Sequence, residues 1–233
     1  MRQTGFFHHI GSFLLFSATI LLIITCISAP VVHNLSVLKV NLANNDNDFS
    51  PDITFGTFGW CVQQSGSDDD CSSTHVGYDA AGVLKNRSSG AFDTSDFAGD
   101  TANGLTRVMV LHPVAAGLSF ISFLLALGAG VVGSFLAAIV SLLTFIVTLV
   151  VLITDFVGFA ILKNAVNRSD TGATSEFGAC MWTLLVAAIC NLLATIVVFF
   201  TCCSARLHKK RHSSAKVERY DSPPTRPARR RWF

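Results

Sequence analysis

Residues 108–154 read VMVLHPVAAGLSFISFLLALGAGVVGSFLAAIVSLLTFIVTLVVLIT, a stretch without a single Asp, Glu, Lys or Arg. A bilayer core is crossed by roughly 20 helical residues, so this stretch is too long for one crossing and holds two. The place to turn is Gly128-Ala129-Gly130-Val131-Val132-Gly133, where three glycines supply backbone freedom that a continuous helix does not use. The reading is a hairpin of two membrane helices, residues 108–129 and 134–154, joined by a tight turn at 130–133. The rest of the chain lies on one side of the membrane or the other by reference to that hairpin.

Working outward, the bulk composition agrees: 51% of residues are hydrophobic and 14% are charged, which places the chain in the membrane class. An apolar run at 10–30 reads as a first span. A signal peptide is the alternative, but the run is longer than the roughly 7 to 15 residues of a signal core, and Pro30 would hinder cleavage. Residues 179–203 make a fourth span. Between the spans lie a long polar segment, 31–107, and a shorter one, 155–178. The long segment carries ten aspartates against Lys39, Lys85, Arg87 and Arg107, whereas residues 204–233 carry ten Lys or Arg against Glu218 and Asp221. The positive-inside rule then puts residues 1–9, the turn at 130–133 and the basic tail in the cytoplasm, and both polar segments outside. The expected fold is an all-α membrane protein, a four-transmembrane-helix bundle with a small β-rich extracellular loop.

Within that loop, Asp52-Ile53-Thr54-Phe55 and Phe58-Gly59-Trp60-Cys61-Val62 have the β-branched and aromatic content of strands. Cys61 and Cys71 are its only cysteines, and Ser65 to Asp70 between them read as a hairpin tip. In an oxidising compartment the pair is most simply a disulfide, contributing about 2 to 3 kcal/mol for so short a loop. Three Asn-x-Ser sequons, at Asn34, Asn86 and Asn167, all fall in the segments assigned to the outside. Asn34 lies close to the first span, which makes Asn86 the preferred glycosylation site.

Several motifs need weighing against plainer readings. Gly128-x-Gly130-x-x-Gly133, with Asp155 downstream, matches a dinucleotide fingerprint, but its flanks are uncharged and span-length where that motif needs a soluble strand and helix. A tight turn explains it, and small residues at four-residue spacing (Ala126 with Gly130, Ala129 with Gly133) suit close helix packing and leave room for oligomers. Arg107, His112 and Asp155 are the membrane polar candidates. Hairpin geometry places His112 and Asp155 at similar depth, and ionisable groups there are functional candidates by default. The plainer reading is an interfacial histidine and an aspartate facing water. Asp68-Asp69-Asp70 lacks the ligand spacing of a calcium loop and reads as a solvated tip. His33 and His75 lie in the same loop. Cys202 and Cys203, followed by Arg206, Lys209, Lys210 and Arg211, are placed for palmitoylation and for anionic lipid, or are ordinary span-end cysteines. Pro224, Pro227 and Arg229 have the spacing that SH3 grooves accept, a match that short tails often produce. There is no metal-binding helix, nucleophile elbow or intramembrane carboxylate pair in the sequence. The chain is therefore expected to be non-enzymatic, with no catalytic, cofactor-binding or metal residues and no nucleic-acid partner.

The loop motif Phe55-Gly56-Thr57-Phe58-Gly59-Trp60-Cys61, then Cys71-Ser72 and Val76-Gly77-Tyr78, and later Leu111-His112-Pro113, resemble the fungal PalI family of pH-response regulators and their eisosome-associated Sur relatives. Those are claudin-like tetraspans, and Arg107 at the mouth of the second span also resembles the claudin pattern. The resemblance implies that Gly56, Phe58, Gly59, Trp60, Cys61, Cys71, Gly77 and Tyr78 form the family loop motif. It also implies a plasma-membrane protein that assists a seven-span receptor in ambient-pH signalling, or one that organises cortical compartments with scaffold proteins. A claudin-like pore is a third reading. The Gly-x-Phe-Gly-x-Cys form of the loop favours the PalI branch, and the shortness of the tail departs from the long extension of many PalI members.

Overall fold

In a computed structural model of the protein, the chain runs α1 (Phe6–Cys26), β1 (Leu38–Asn41), β2 (Asp52–Phe55), β3 (Trp60–Gln63), β4 (Asp70–Cys71), α2 (Ala80–Arg87), α3 (Asp96–Val108), α4 (Leu111–Leu127), α5 (Val131–Arg168), β5 (Thr174–Phe177) and α6 (Ala179–Tyr220). The structure describes residues 6–32, 34–42, 51–63, 69–87, 96–128, 131–169 and 172–220, with backbone alone at 6–8, 96–98, 131, 132, 134 and 203–220.

Four described stretches are long and apolar enough to cross a membrane: His9–Cys26, Gly99–Leu127, Phe135–Arg168 and Ala179–Cys202. The protein is a multi-pass membrane protein whose helices pack in a ring, α1 against α4 and α6, and α5 against α4 and α6. Large side chains such as Phe13, Phe120, Leu142, Leu193 and Phe200 point outward, whereas the interior is lined by small ones, among them Ala18, Ala115, Ala126, Ala137, Ala187 and Ala194. Hydrocarbon offers no hydrophobic drive for helix association, so close approach over small residues is what dispersion can use.

The helices differ from the sequence reading at their ends. The second polar segment does not leave the helix at Asp155, because α5 continues to Arg168. Val151, Asp155, Phe159, Leu162 and Val166 are all buried and lie three or four residues apart, so one face of α5 stays packed well past residue 154. The second span is likewise preceded by α3, whose Ala102 and Thr106 are buried, in a stretch read as loop. At the reversal, α4 ends at Leu127, the Gly128 N–H donates to the Leu124 carbonyl at 3.1 Å, and α5 begins at Val131. Gly133 is therefore helical, and α5 starts three residues earlier than expected, inside the stretch read as the turn at 130–133.

Above one end of the bundle sits an antiparallel sheet in the order β4-β3-β2-β1-β5. β2 and β3 fall where strand-like composition put them, and Cys61 pairs directly with Cys71 across β3 and β4. β1 and β5 are additions. β5 comes from the segment after α5 and pairs with β1, Leu38 opposite Phe177, so both polar segments build one lobe. Its apolar face, with Leu38, Val40, Ile53 and Phe55, packs with Leu84 of α2 and with Met109, Phe159, Leu162, Val166 and Met181 at the ends of the membrane helices. The lobe and the nearby helix ends share one core, and two further clusters fill the bundle.

Candidate functional site: a buried histidine–aspartate pair under a clipped lobe

Two of the ties between lobe and bundle use residues of the loop motif. The first is the turn between β2 and β3, closed by the Gly56 N–H donating to the Gly59 carbonyl at 2.8 Å. It presses on the end of α1, where the Thr57 hydroxyl donates to the free carbonyl of Thr25 at 2.8 Å and the Thr57 N–H donates to Ser28 Oγ at 2.9 Å. A Cβ at Gly56 would collide with the backbone of Ala29, so only glycine permits this approach. The second tie is Tyr78. Its ring lies nearly parallel to Phe55, its hydroxyl donates to the Gly56 carbonyl at 2.7 Å, and its own carbonyl accepts from Thr106 Oγ1 of α3 at 2.9 Å. Gly77 before it has φ +73°, and a Cβ there would meet Arg107 Cγ at 2.6 Å. Arg107 is itself exposed, with its stem laid across that glycine.

Beneath Tyr78 is the site. Pro113 sits in the first turn of α4, and a proline has no N–H for the carbonyl four residues back, which is that of Met109. That carbonyl instead takes the His112 N–H at 3.0 Å and faces the ring Nδ1 of His112 at 3.1 Å. A carbonyl only accepts, so Nδ1 carries a proton and the ring is held with Nε2 pointing at α5. There Nε2 meets Asp155 Oδ2 at 3.0 Å. The two side chains are 1% and 3% exposed. The contact is an ion-pair approach, off the direction of a good hydrogen bond, and Oδ2 has no other partner among the described residues. The plainer sequence reading, an interfacial histidine and an aspartate facing water, is overturned: the residues that were read only as lying at one depth touch one another inside the bundle. Burial, with the Asp155 charge adding to it, pushes the Tyr78 hydroxyl well above its ordinary range, so it acts as a neutral donor.

A second buried polar feature escaped the sequence reading. Thr19 Oγ1 of α1 lies 3.0 Å from Ser119 Oγ of α4, which reaches Asn191 Oδ1 of α6 at 3.4 Å, and Asn191 Nδ2 donates to Thr148 Oγ1 of α5 at 3.1 Å. One residue from each span joins a chain across the bundle centre. Asn191 is the only amide in its span, and that was the available signal. Asn191→Leu is expected to lower stability by about 1 to 2 kcal/mol, read as a fall in the unfolding midpoint in detergent, whereas lipid-facing Leu193→Ala moves it little.

The remaining sequence candidates are dispersed. Cys61 and Cys71 are disulfide-bonded. The Phe58 carbonyl accepts from the His75 N–H at 3.0 Å, and Trp60 carries the Arg87 guanidinium over its ring at 5.2 Å. Asp70, expected in a solvated tip, is exposed and ion-paired with Arg87. Asn34 and Asn86 are exposed, Asn86 on α2. The Asn167 side chain is occupied holding β5, accepting from the Ser175 N–H and hydroxyl, each at 2.9 Å. Cys202 is buried, which takes its thiol from the accessible position that acylation needs, and the Cys203 side chain lies outside the described residues. His33, Asp68, Ala129, Gly130, Pro224, Pro227 and Arg229 also lie outside them. The basic stretch from Arg206 to Arg219 continues α6 as helix.

Residues 7–194, which take in the lobe, the pair and the polar chain, match the model of the SUR7/PalI family. The chain belongs to that family. Among SUR7/PalI relatives, it is 29% identical over 114 residues to the pH-response regulator protein palI/prr-5 of Neurospora crassa, and 32% identical over 118 residues to the pH-response regulator protein palI/RIM9 of Emericella nidulans. These alignments cover 49% and 50% of this chain but 14% and 18% of the two relatives, so the chain corresponds to a small part of either.

Proposed function

We propose that this protein is a non-enzymatic accessory component of ambient-pH signalling, seated in the plasma membrane of a fungus with the lobe outside and both termini in the cytoplasm. The observation that carries the reading is the likeness of half the chain to two proteins named as pH-response regulators. Orientation is supported by the charge contrast between the aspartate-rich loop and the basic end. The exposed sequon at Asn86 suits glycosylation on the outer side. The partner is another membrane protein, such as a seven-span pH receptor, met through the lobe and span surfaces, while the Arg- and Lys-rich end of α6 meets anionic lipid. Deleting the gene is expected to impair growth at alkaline pH and to misplace the receptor. Normal growth with a normally placed receptor overturns the proposal.

The family also takes in SUR7, which supports a second reading, an organiser of cortical membrane compartments. A fluorescent fusion in static patches favours that reading, and an even rim argues against it.

A further inference from the structure

We propose that His112 and Asp155 form a proton-binding site, and that the proton held there keeps the clipped lobe seated on the bundle. Its biological use rests on the pH-signalling reading; its chemistry does not.

The imidazole has an acceptor at each nitrogen, the Met109 carbonyl at Nδ1 and Asp155 Oδ2 at Nε2. A neutral ring carries one N–H and can satisfy only one of them. In the proposed site the pair holds one proton more than a neutral imidazole beside an ionised carboxylate, on Nε2 or on Oδ2, which lets both ring nitrogens face their acceptors. When it leaves to water or hydroxide, no covalent bond other than its own is broken. What remains is a lone pair facing an acceptor, with one net negative charge. The buried residues one turn from the pair on the same faces are apolar: Met109, Ala115 and Ala116 beside His112, and Val151 and Phe159 beside Asp155. An uncompensated charge in such surroundings is costly and is relieved by admitting water.

The other titratable groups at this end of the bundle do not supply a replacement. Tyr78 of the lobe faces Asp155 but spends its hydroxyl on Gly56. Arg107 of α3 is exposed across Gly77. Lys163 of α5 has its ammonium over the Phe177 ring at 4.5 Å. Cys26 of α1 and Cys180 of α6 are thiols. Among the described residues, His112 is the base in ion-pair contact with Asp155.

Tyr78 couples the site to the lobe. It feels the Asp155 charge, and through its hydroxyl, its carbonyl and Phe55 it holds the turn that docks on α1. In the proposed lifted state Tyr78 and that turn have left this end of the bundle, and water admitted there lets the pair give up its proton. The seated state binds one proton more than the lifted state, so acid favours seating and alkali favours lifting.

The test is amide hydrogen exchange of residues 55–60 and 76–79, corrected for intrinsic rate, on the full chain in nanodiscs between about pH 5 and about pH 8, where imidazole ordinarily changes charge. One linked proton allows the opening constant to rise by up to about tenfold per pH unit. The expected rise over the whole range is about tenfold or more in the unaltered protein and under about twofold in Asp155→Asn, whose amide keeps the shape but takes no proton. His112→Gln is expected to be equally flat. A flat response in the unaltered protein, or an undiminished one in either folded variant, overturns the site. If neither variant folds, infrared difference spectra of the unaltered protein decide: a carboxyl band that changes between about pH 5 and about pH 8, where ordinary carboxyls are already ionised, supports the site, and its absence overturns it. Growth of the deletion strain tests the signalling reading separately. A proton-linked lobe in a protein whose loss leaves alkaline growth intact keeps the site and removes only its assigned use.

Discussion

Gly56→Ala is expected to destabilise the protein by about 3 kcal/mol, the upper part of the range for overpacking, and to release the lobe from the bundle. The new methyl group would enter the backbone of Ala29 at the end of α1, and a backbone cannot rotate aside as a long side chain can. To make room, the turn must move away from Ala29. That movement stretches the bonds from Thr57 to Thr25 and Ser28 and displaces the carbonyl that accepts the Tyr78 hydroxyl. Each buried partner left unsatisfied adds about 1 to 3 kcal/mol, so relaxing the clash does not recover the loss. Two internal controls exist. A Cβ at Gly104 or Gly117 meets nothing within 4 Å, and both lie inside helices. Gly117→Ala is expected to be neutral or to stabilise by about 0.4 to 1 kcal/mol. Unfolding midpoints in detergent make the comparison, and equal midpoints for Gly56→Ala and Gly117→Ala would show that the turn does not bear on α1 as described.

The hairpin, the four spans, two strands and the disulfide were legible in the sequence because each rests on a local signal. A charge-free run, alternating β-branched residues and two cysteines in one polar loop need no knowledge of distant contacts. The histidine–aspartate pair was half legible. Its two members could be placed at one depth, but a lone aspartate at the end of an apolar run looks the same whether it opens a loop or points inward. The deciding signal is the burial period continuing to Val166, and that period is weak in sequence because Phe156, Val157 and Ile161 make α5 apolar on more than one face. Pro113 was also visible, yet its effect is exerted on a carbonyl four residues upstream, and only the helix geometry reveals that His112 takes up the vacancy. β5 was hidden for a different reason. Its partner β1 lies before the hairpin, and a four-residue strand joining two polar segments has no local pattern strong enough to announce it.

These two levels meet in the lobe. The local signals define a sheet, but what holds the sheet to the membrane helices is nonlocal: an apolar core shared with Met109, Phe159, Leu162, Val166 and Met181, and polar contacts that include those at Gly56, Thr57, Tyr78 and Thr106. Gly56 and Tyr78 thus serve docking, whereas Trp60, Cys61 and Cys71 lie in strands.

Removing the disulfide separates the sheet's own stability from its docking. Cys61→Ala with Cys71→Ala is expected to lower the stability of the lobe by about 2 to 3 kcal/mol, from the freedom restored to the short loop between the two positions. β4 is only two residues long, and the contacts beside its ladder to β3 include the Ser72 N–H to the Trp60 carbonyl at 2.9 Å, the Trp60 N–H to Ser72 Oγ at 3.1 Å and the Asp70–Arg87 ion pair. An exposed ion pair contributes at most about 1 kcal/mol, so β4 is expected to fray first and to expose the edge of β3. The docking turn runs directly into the start of β3, beside the Trp60–Ser72 contact, but Gly56 and Thr57 are buried against α1 and are expected to keep their contacts to Thr25, Ser28 and Tyr78. Limited proteolysis should therefore cut near residues 64–72 at least about tenfold faster in the variant, the factor that 1.4 kcal/mol confers, while exchange at Gly56 and Thr57 changes little. Reductant should reproduce the effect in the unaltered protein and add nothing to the variant. If instead the seat and β4 loosen together, lobe and docking turn form one cooperative unit, and the lobe cannot lift as a body while keeping its own fold.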